Sequence, residues 1–136
     1  MNILLVDDDN ILAETTATLI EGIGGHQVYI TDEPAEVFRQ CESGTIDVVM
    51  MDVNLPGSKW KGESVSGADL SRLLKTQPQT ANIPIILVTA YALVNEQRYL
   101  LEVSQADSFW SKPILDFESL LEKLNQLVKH NGKTNN

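Results

Sequence analysis

The sequence predicts an α/β domain built on a five-stranded, doubly wound parallel sheet. Two observations carry that class. The runs Ile3-Leu4-Leu5-Val6, Val48-Val49-Met50-Met51 and Ile85-Ile86-Leu87-Val88 are continuously apolar and of strand length, as strands covered on both faces must be. Stretches with helical apolar spacing separate them, and that alternation implies one parallel sheet with right-handed crossovers.

The elements follow in order. Ile3 to Val6 is the first strand and ends at Asp7-Asp8-Asp9. The first helix carries Ile11, Leu12, Leu19, Ile20 and Ile23 at roughly helical spacing, with Gly22, Gly24 and Gly25 as stop signals. His26 to Thr31 alternates Val28 and Ile30, as a strand with one more exposed face would. Asp32-Glu33-Pro34 starts the second helix with an acidic cap and a first-turn proline. Val37, Phe38 and Cys41 form its inner face, and Ser43-Gly44 ends it. The central strand runs from Ile46 to Asp52, where Leu55-Pro56-Gly57 breaks the backbone. Ser58 to Ser66 is polar, lacks a period and reads as a loop. Ala68 to Thr76 is helical, with Leu70, Leu73 and Leu74 inward. Ile85 to Val88 is the fourth strand, ending at Thr89. Leu93 to Ser104 is the fourth helix, with Leu100, Leu101 and Val103. Asp107 to Ser111 is a short fifth strand before Lys112-Pro113. Leu120, Leu121, Leu124, Leu127 and Val128 define the last helix. The domain is expected over 1–128, with 129–136 a frayed polar tail.

The 136 residues are one domain in length, 43% apolar and 21% charged, enough for a real core. The net charge of −9, with 10 Lys and Arg, leaves no large basic face and argues against a phosphate-backbone binder. The single cysteine excludes an intramolecular disulfide and a cysteine zinc site. Without a signal peptide or long apolar run, the expected location is cytoplasmic, with no membrane or nucleic-acid partner. Met1-Asn2 leads straight into a strand, so no targeting segment is expected ahead of the fold.

In a parallel sheet all carboxyl ends share one edge, where ligands and chemistry collect. Three runs end directly at a polar residue: Val6 at Asp7, Met51 at Asp52 and Val88 at Thr89. The fifth strand ends near Lys112. Asp7, Asp8, Asp52, Thr89 and Lys112 therefore converge. Alone, Asp52 could be a helix cap, a metal ligand or a nucleophile. Crowded carboxylates repel unless a cation lies among them. The donors on offer are all oxygen, carboxylates and a carbonyl in the turn after Asp52, which suits Mg²⁺ and excludes zinc. An ammonium and a hydroxyl beside that cation make a receptor for phosphoryl oxygens. A strand-end aspartate there can attack phosphorus.

From Ile3 to about Val128 the chain resembles the receiver domain of two-component response regulators, of the single-domain, chemotaxis-regulator-like kind. The matching pieces are Leu5-Val6-Asp7-Asp8, Asp52 with Leu55-Pro56-Gly57, Val88-Thr89-Ala90 and Phe109-Trp110-Ser111-Lys112-Pro113. Each is weak alone, but all four stand in order at strand ends. The resemblance implies the flavodoxin-like (βα)5 fold with strand order 2-1-3-4-5. It implies Asp52 as phosphoacceptor, receiving the group from a histidine kinase or histidine phosphotransfer protein. It further implies Mg²⁺ held by Asp8, by Asp7 largely through water, by Asp52 and by the Asn54 carbonyl. Thr89 and Lys112 would bind phosphoryl oxygens. Thr89 and Phe109 would be the switch pair, altering the face of the fourth helix, fifth strand and fifth helix for a downstream protein target or a homodimer. Lys112-Pro113 would be cis, as in similar domains.

Two features depart from the family pattern. The segment after Gly57 is longer than usual and carries Lys59-Trp60-Lys61 near the site; such a run is more often a solvated loop than a binding patch, but here it could gate access or contact a partner. The switch aromatic is Phe109 rather than tyrosine, so it has no hydroxyl. Among bland readings, Asp9 is a helix cap, His26 and His130 are surface residues, and Cys41 is a small core residue. Since no output domain follows, the expected protein is a stand-alone phosphoacceptor switch rather than an enzyme with external turnover. A haloacid-dehalogenase-type phosphatase would need an acid two residues after its nucleophile, where this chain has Asn54. A flavin mononucleotide binder would set its phosphate against Asp7-Asp8-Asp9. A constitutive receiver-like binding module would typically lack one of the site residues, all of which are present.

Overall fold

The computed structural model describes residues 1–90 and 94–134, with side chains as far as 130. Its elements are β1 (Asn2–Val6), α1 (Asn10–Gly24), β2 (Gln27–Thr31), α2 (Pro34–Glu42), β3 (Val48–Asp52), β4 (Lys59–Trp60), β5 (Glu63–Ser64), α3 (Gly67–Lys75), β6 (Ile85–Thr89), α4 (Val94–Ser104), β7 (Ser108–Ser111) and α5 (Phe117–Thr134). Five strands form one parallel sheet in the order β2-β1-β3-β6-β7. With β4 and β5 set aside, this is the expected order 2-1-3-4-5. Every residue of β3 and β6 is buried, which is why those strands read as unbroken apolar runs.

The core lies in two layers. On one face, Leu4, Val6, Val49, Met51, Ile85 and Leu87 pack with residues of α2 and α3. On the other, Ile3, Leu5, Val48, Met50, Ile86 and Val88 pack with α1 and α5. The chain crosses from β1 to β2 in one direction and returns to β3 in the other. The strand order therefore reverses between β1 and β3, and a crevice opens at their carboxyl ends.

Three expectations are corrected. The segment Ser58 to Ser66, expected to be a loop, contains the antiparallel hairpin β4–β5, with Lys59 opposite Ser64 and Trp60 opposite Glu63. Lys61 and Gly62 connect the strands, both with positive φ (51° and 83°), as a type I′ turn requires. Trp60 anchors the hairpin: its ring centroid lies 4.4 Å from that of Phe38 on α2. Second, the inner face of α1 is Ala13, Thr16, Ala17 and Ile20, whereas Leu12, Leu19 and Ile23 are about half exposed and Ile11 is 81% exposed. The buried set follows i, i+3, i+4, i+7 strictly; the larger residues do not. Third, α5 continues to Thr134, so most of the expected tail is helical. Leu93, expected to open the fourth helix, lies outside the described residues.

The helix ends follow local chemistry. Asp9 caps α1, accepting from Leu12 N at 3.1 Å, and Gly25 ends it with φ 66°. Ser66 and Asp69 form a reciprocal capping box on α3. Before α2, Glu33 stands at the cap position without a side-chain hydrogen bond.

Candidate functional site at the sheet switch point

Asp7 follows β1 directly, and its amide still donates to Thr31 O at 3.2 Å. Asp52 is the last residue of β3, held at the register of Val88. Both are buried, 4% and 7% exposed. Asp8 is exposed beside them, and one oxygen from each of Asp7, Asp8 and Asp52 lies within 4.8 Å of the others. Thr89 ends β6 and is 2% exposed. Its carbonyl accepts from Lys112 N at 2.9 Å, which delivers Lys112 to the crevice from the neighbouring strand β7. Lys112 Nζ then stands 2.8 Å from Asp52 Oδ2 and 3.3 Å from Asp7 Oδ2.

The turn after Asp52 is held from both sides. The Asn54 N–H donates to Asp52 Oδ1 at 3.1 Å. Ser58 N donates to Leu55 O at 3.2 Å across Pro56 and Gly57. Gly57 has φ 80°, the left-handed value that the third position of a Pro-Gly type II turn demands. Asn54 itself is exposed. Lys112-Pro113 is cis, as expected. Phe109 is half-buried and packs against the α2–α3 side of the core.

The charges are mutually dependent. Burial pushes the Asp52 carboxyl up; the Lys112 hydrogen bond and charge and the Asn54 amide pull it down, the Asp7 charge adds to the rise, and the net position is above the ordinary value. Burial alone would lower Lys112, but the hydrogen bond and charge of Asp52, then Asp7, hold it above the usual range. A nearby cation would therefore favour the charged form of Asp52. Three crowded carboxylates with a single ammonium fit a hard, oxygen-seeking divalent cation.

The structure brings Asp7, Asp8, Asp52 and Lys112 together, places Thr89 at the end of the adjoining strand and sets Asn54 in the turn after Asp52. Two features escaped the sequence. An apolar cleft of about 380 Å³ opens beside Asp7, Asp52 and Lys112, with Leu12, Leu19, Ile114 and Phe117 in its wall. Large apolar residues on the outward side of α1 were its only signal. Gly67, at the start of α3, lies against the backbone of Asp52; a glycine inside a well-capped helix start was its signal.

A doubly wound parallel sheet of order 2-1-3-4-5, with its polar residues at the switch point, is the flavodoxin-like fold in its receiver form. The chain belongs to the response regulator receiver domain family, whose family profile matches residues 3–125. Phosphorylation on an aspartate, within two-component signalling, is typical of that family. The gliding motility regulatory protein of Myxococcus xanthus is 29% identical over 128 residues, covering 94% of this chain and 15% of that protein. The sensory transduction protein RegX3 of Mycobacterium tuberculosis is 28% identical over 131 residues, covering 96% and 52%. The solved signal receiver domain of a signal transduction histidine kinase from Syntrophus aciditrophicus is 27% identical, with a TM-score of 0.77 and coverage of 95% and 90%. The chain spans about half or less of the curated relatives it matches. Among the described residues no helix is long and apolar enough to cross a membrane.

Proposed function

We propose that this domain accepts a phosphoryl group on Asp52 from a phosphohistidine of a sensor kinase or phosphotransfer protein, and signals through a protein–protein surface altered by that group. The observation that carries the reading is the Lys112 ammonium set 2.8 Å from Asp52 Oδ2 at the switch-point crevice, with Asp7 and Asp8 alongside. An Asp52 carboxylate oxygen bonds to phosphorus as the phosphorus–nitrogen bond breaks, and the imidazole leaves with that electron pair. Lys112 balances charge on the phosphoryl oxygens, and the Thr89 hydroxyl offers them a hydrogen bond. Asp7, Asp8, Asp52 and the Asn54 carbonyl would hold Mg²⁺, which supplies Lewis-acid neutralisation of the same oxygens when bound. The turn residue Asn54 has no ionisable group to serve as a general acid or base, which argues against turnover of external phosphate esters.

The exposed apolar residues Leu12 and Leu19 in the cleft wall, with exposed Leu115 next in sequence to Ile114 of that wall, fit a donor protein that brings its histidine alongside Asp52. Movement of Thr89 and Phe109 is the proposed link to the α4–β7–α5 face, where a downstream target or a second copy would dock.

The test is incubation with Mg²⁺ and acetyl phosphate, followed by intact mass. The expected result is one phosphoryl group per chain, base-labile and absent in Asp52→Asn. Equal labelling of Asp52→Asn would sink the assignment. A wild-type protein that neither labels nor responds to beryllofluoride would favour a constitutive binding module.

A further inference from the structure

We propose that Gly67 is a positioning residue for the phosphoacceptor: with no side chain there, the first turn of α3 abuts the Asp52 backbone and fixes where the Asp52 carboxylate stands. This rests on the reading of Asp52 as the phosphoacceptor.

Gly67 is the first residue of α3, directly after the Ser66 cap. Its φ lies outside the left-handed region, so backbone strain does not call for glycine. Helix propensity disfavours it. What calls for it is space. A Cβ at this position would fall well inside contact distance of the Asp52 carbonyl oxygen, 2.8 Å from the Asp52 carbonyl carbon and 3.0 Å from Met51 Cγ. By contrast, a Cβ at Gly22, Gly25, Gly44, Gly57 or Gly62 would meet nothing within 4 Å.

Neither side of this contact is free to retreat. Asp52 and Met51 belong to β3, which pairs with β1 on one side and β6 on the other. On the α3 side, Gly67 N donates to Val53 O at 2.9 Å. Asp69 N donates to Ser66 Oγ at 3.2 Å, and Ser66 N to Asp69 Oδ2 at 2.8 Å. Ala68, Leu70 and Leu74 then bury the helix against the core. The whole β4–β5 hairpin lies between Asp52 and Gly67 in sequence, yet the chain returns to this contact. A methyl group at residue 67 must displace the end of β3 or the turn bearing Val53 and Asn54. Either movement takes the Asp52 carboxylate away from Lys112 Nζ and the Asn54 amide. A misplacement of about 1 Å in a reacting group costs up to about 100-fold in rate.

The experiment compares wild type with Gly67→Ala. Urea unfolding establishes that the variant is folded. Acetyl phosphate labelling gives the rate at saturating donor and the donor half-saturation separately, and tryptophan fluorescence gives the Mg²⁺ half-saturation. Amide resonances of Asp52, Val53 and Asn54 report displacement without any chemistry. The expected result is a folded protein whose saturated labelling rate falls about tenfold or more, with weaker Mg²⁺ binding and shifted resonances at those three residues. A purely structural role would move the urea midpoint but leave the folded protein's rate within about twofold and those resonances in place; that result overturns the proposal. If wild type takes up no phosphoryl group, the reading of Asp52 has failed, and the resonances still decide whether Gly67 sets its position. Should Gly67→Ala not fold, Ser66→Ala loosens the same turn without adding an atom. Its labelling rate is then expected to fall severalfold with the same resonances perturbed, and wild-type values for both would overturn the proposal.

Discussion

Cys41 sits on the inner face of α2 with 1% of its surface exposed, and burial pushes its thiol up to about 12. The reactive species of a cysteine is its thiolate. At pH 8 the folded thiol is therefore ionised about a thousandfold less than an unfolded one with an ordinary value near 8.5. Native protein should react with a thiol reagent at least 100-fold more slowly than protein unfolded in urea, followed spectrophotometrically. Comparable rates would mean that α2 opens readily. Lys75 presents the opposite case, a buried charge with all its partners. Its ammonium lies 2.6 Å from Asp107 Oδ2 and donates to Ala81 O and Ile83 O at 3.3 and 2.8 Å. Asp107 also accepts from Ile85 N at 2.7 Å. This pair fastens the end of α3 to the starts of β6 and β7. Lys75→Met keeps the volume but leaves Asp107 without its counter-charge and two carbonyls without a donor. The expected cost is about 2–3 kcal/mol in urea unfolding, below the full value for a buried pair because Asp107 retains solvent.

Among the elements, β3 and β6 were legible in the sequence, whereas the hairpin and the inner face of α1 were not. The strands could be read because burial on both faces leaves no polar residue in β3 and β6 before their last. Their ends could be read for the same reason: Asp52 and Thr89 are abrupt exceptions to an apolar run. The site followed from the strand ends, since parallel topology converts separate positions into one edge. The inner face of α1 was obscured because Ala13, Thr16 and Ala17 are small and only weakly apolar, while Ile11, Leu12 and Leu19 are large and face outward. The hairpin was obscured because strands of two polar residues have no period to detect; its signal was the Lys61-Gly62 turn. Gly67 was obscured because its purpose depends on Asp52, a neighbour only after folding. The hairpin packs on α2 through a ring pair. Trp60 stacks on Phe38, and Lys61 Nζ stands 5.9 Å from the centroid of the Trp60 ring. Trp60→Ala removes the ring pair and part of the buried apolar area, about 1–2 kcal/mol for a half-buried aromatic. Hydrogen exchange should show faster exchange at Val65 N, which closes the hairpin onto Ser58 O at 3.0 Å. The β1, β3 and β6 amides should keep their protection. Equal loss across the sheet would mean that the hairpin supports the fold rather than decorating it.

Across the whole molecule, the proposed reading needs a path from the end of β3 to the face formed by α4, β7 and α5. Thr89 ends β6, Lys112 directly follows the adjacent strand β7, and the two are joined by the Lys112 N to Thr89 O hydrogen bond of 2.9 Å. Phe109 lies on β7, opposite Leu87 of β6, so a change at Thr89 has a short route to it through the ladder. Helix α4 is suited to respond. Of its residues only Ser104 is fully buried, while Val94 and Tyr99 are largely exposed. Its fixed point is the far end, where Ser71 Oγ of α3 donates to Ser104 O at 3.0 Å. On the proposed reading, a phosphoryl mimic on Asp52 draws Lys112 and Thr89 toward new oxygens and biases a two-state surface. Beryllofluoride with Mg²⁺ should therefore shift amide resonances at Thr89, Phe109 and along α4 in wild type. In Lys112→Ala the shifts along α4 should be clearly smaller, because the side chain that joins the site to β7 is gone and only the Lys112 N to Thr89 O backbone bond remains. The variant should unfold about 1–3 kcal/mol less stably, since Asp7 and Asp52 lose their ammonium, yet stay folded at 25 °C. Shifts on α4 equal to those of wild type would place the coupling on Thr89 alone and remove Lys112 from the path.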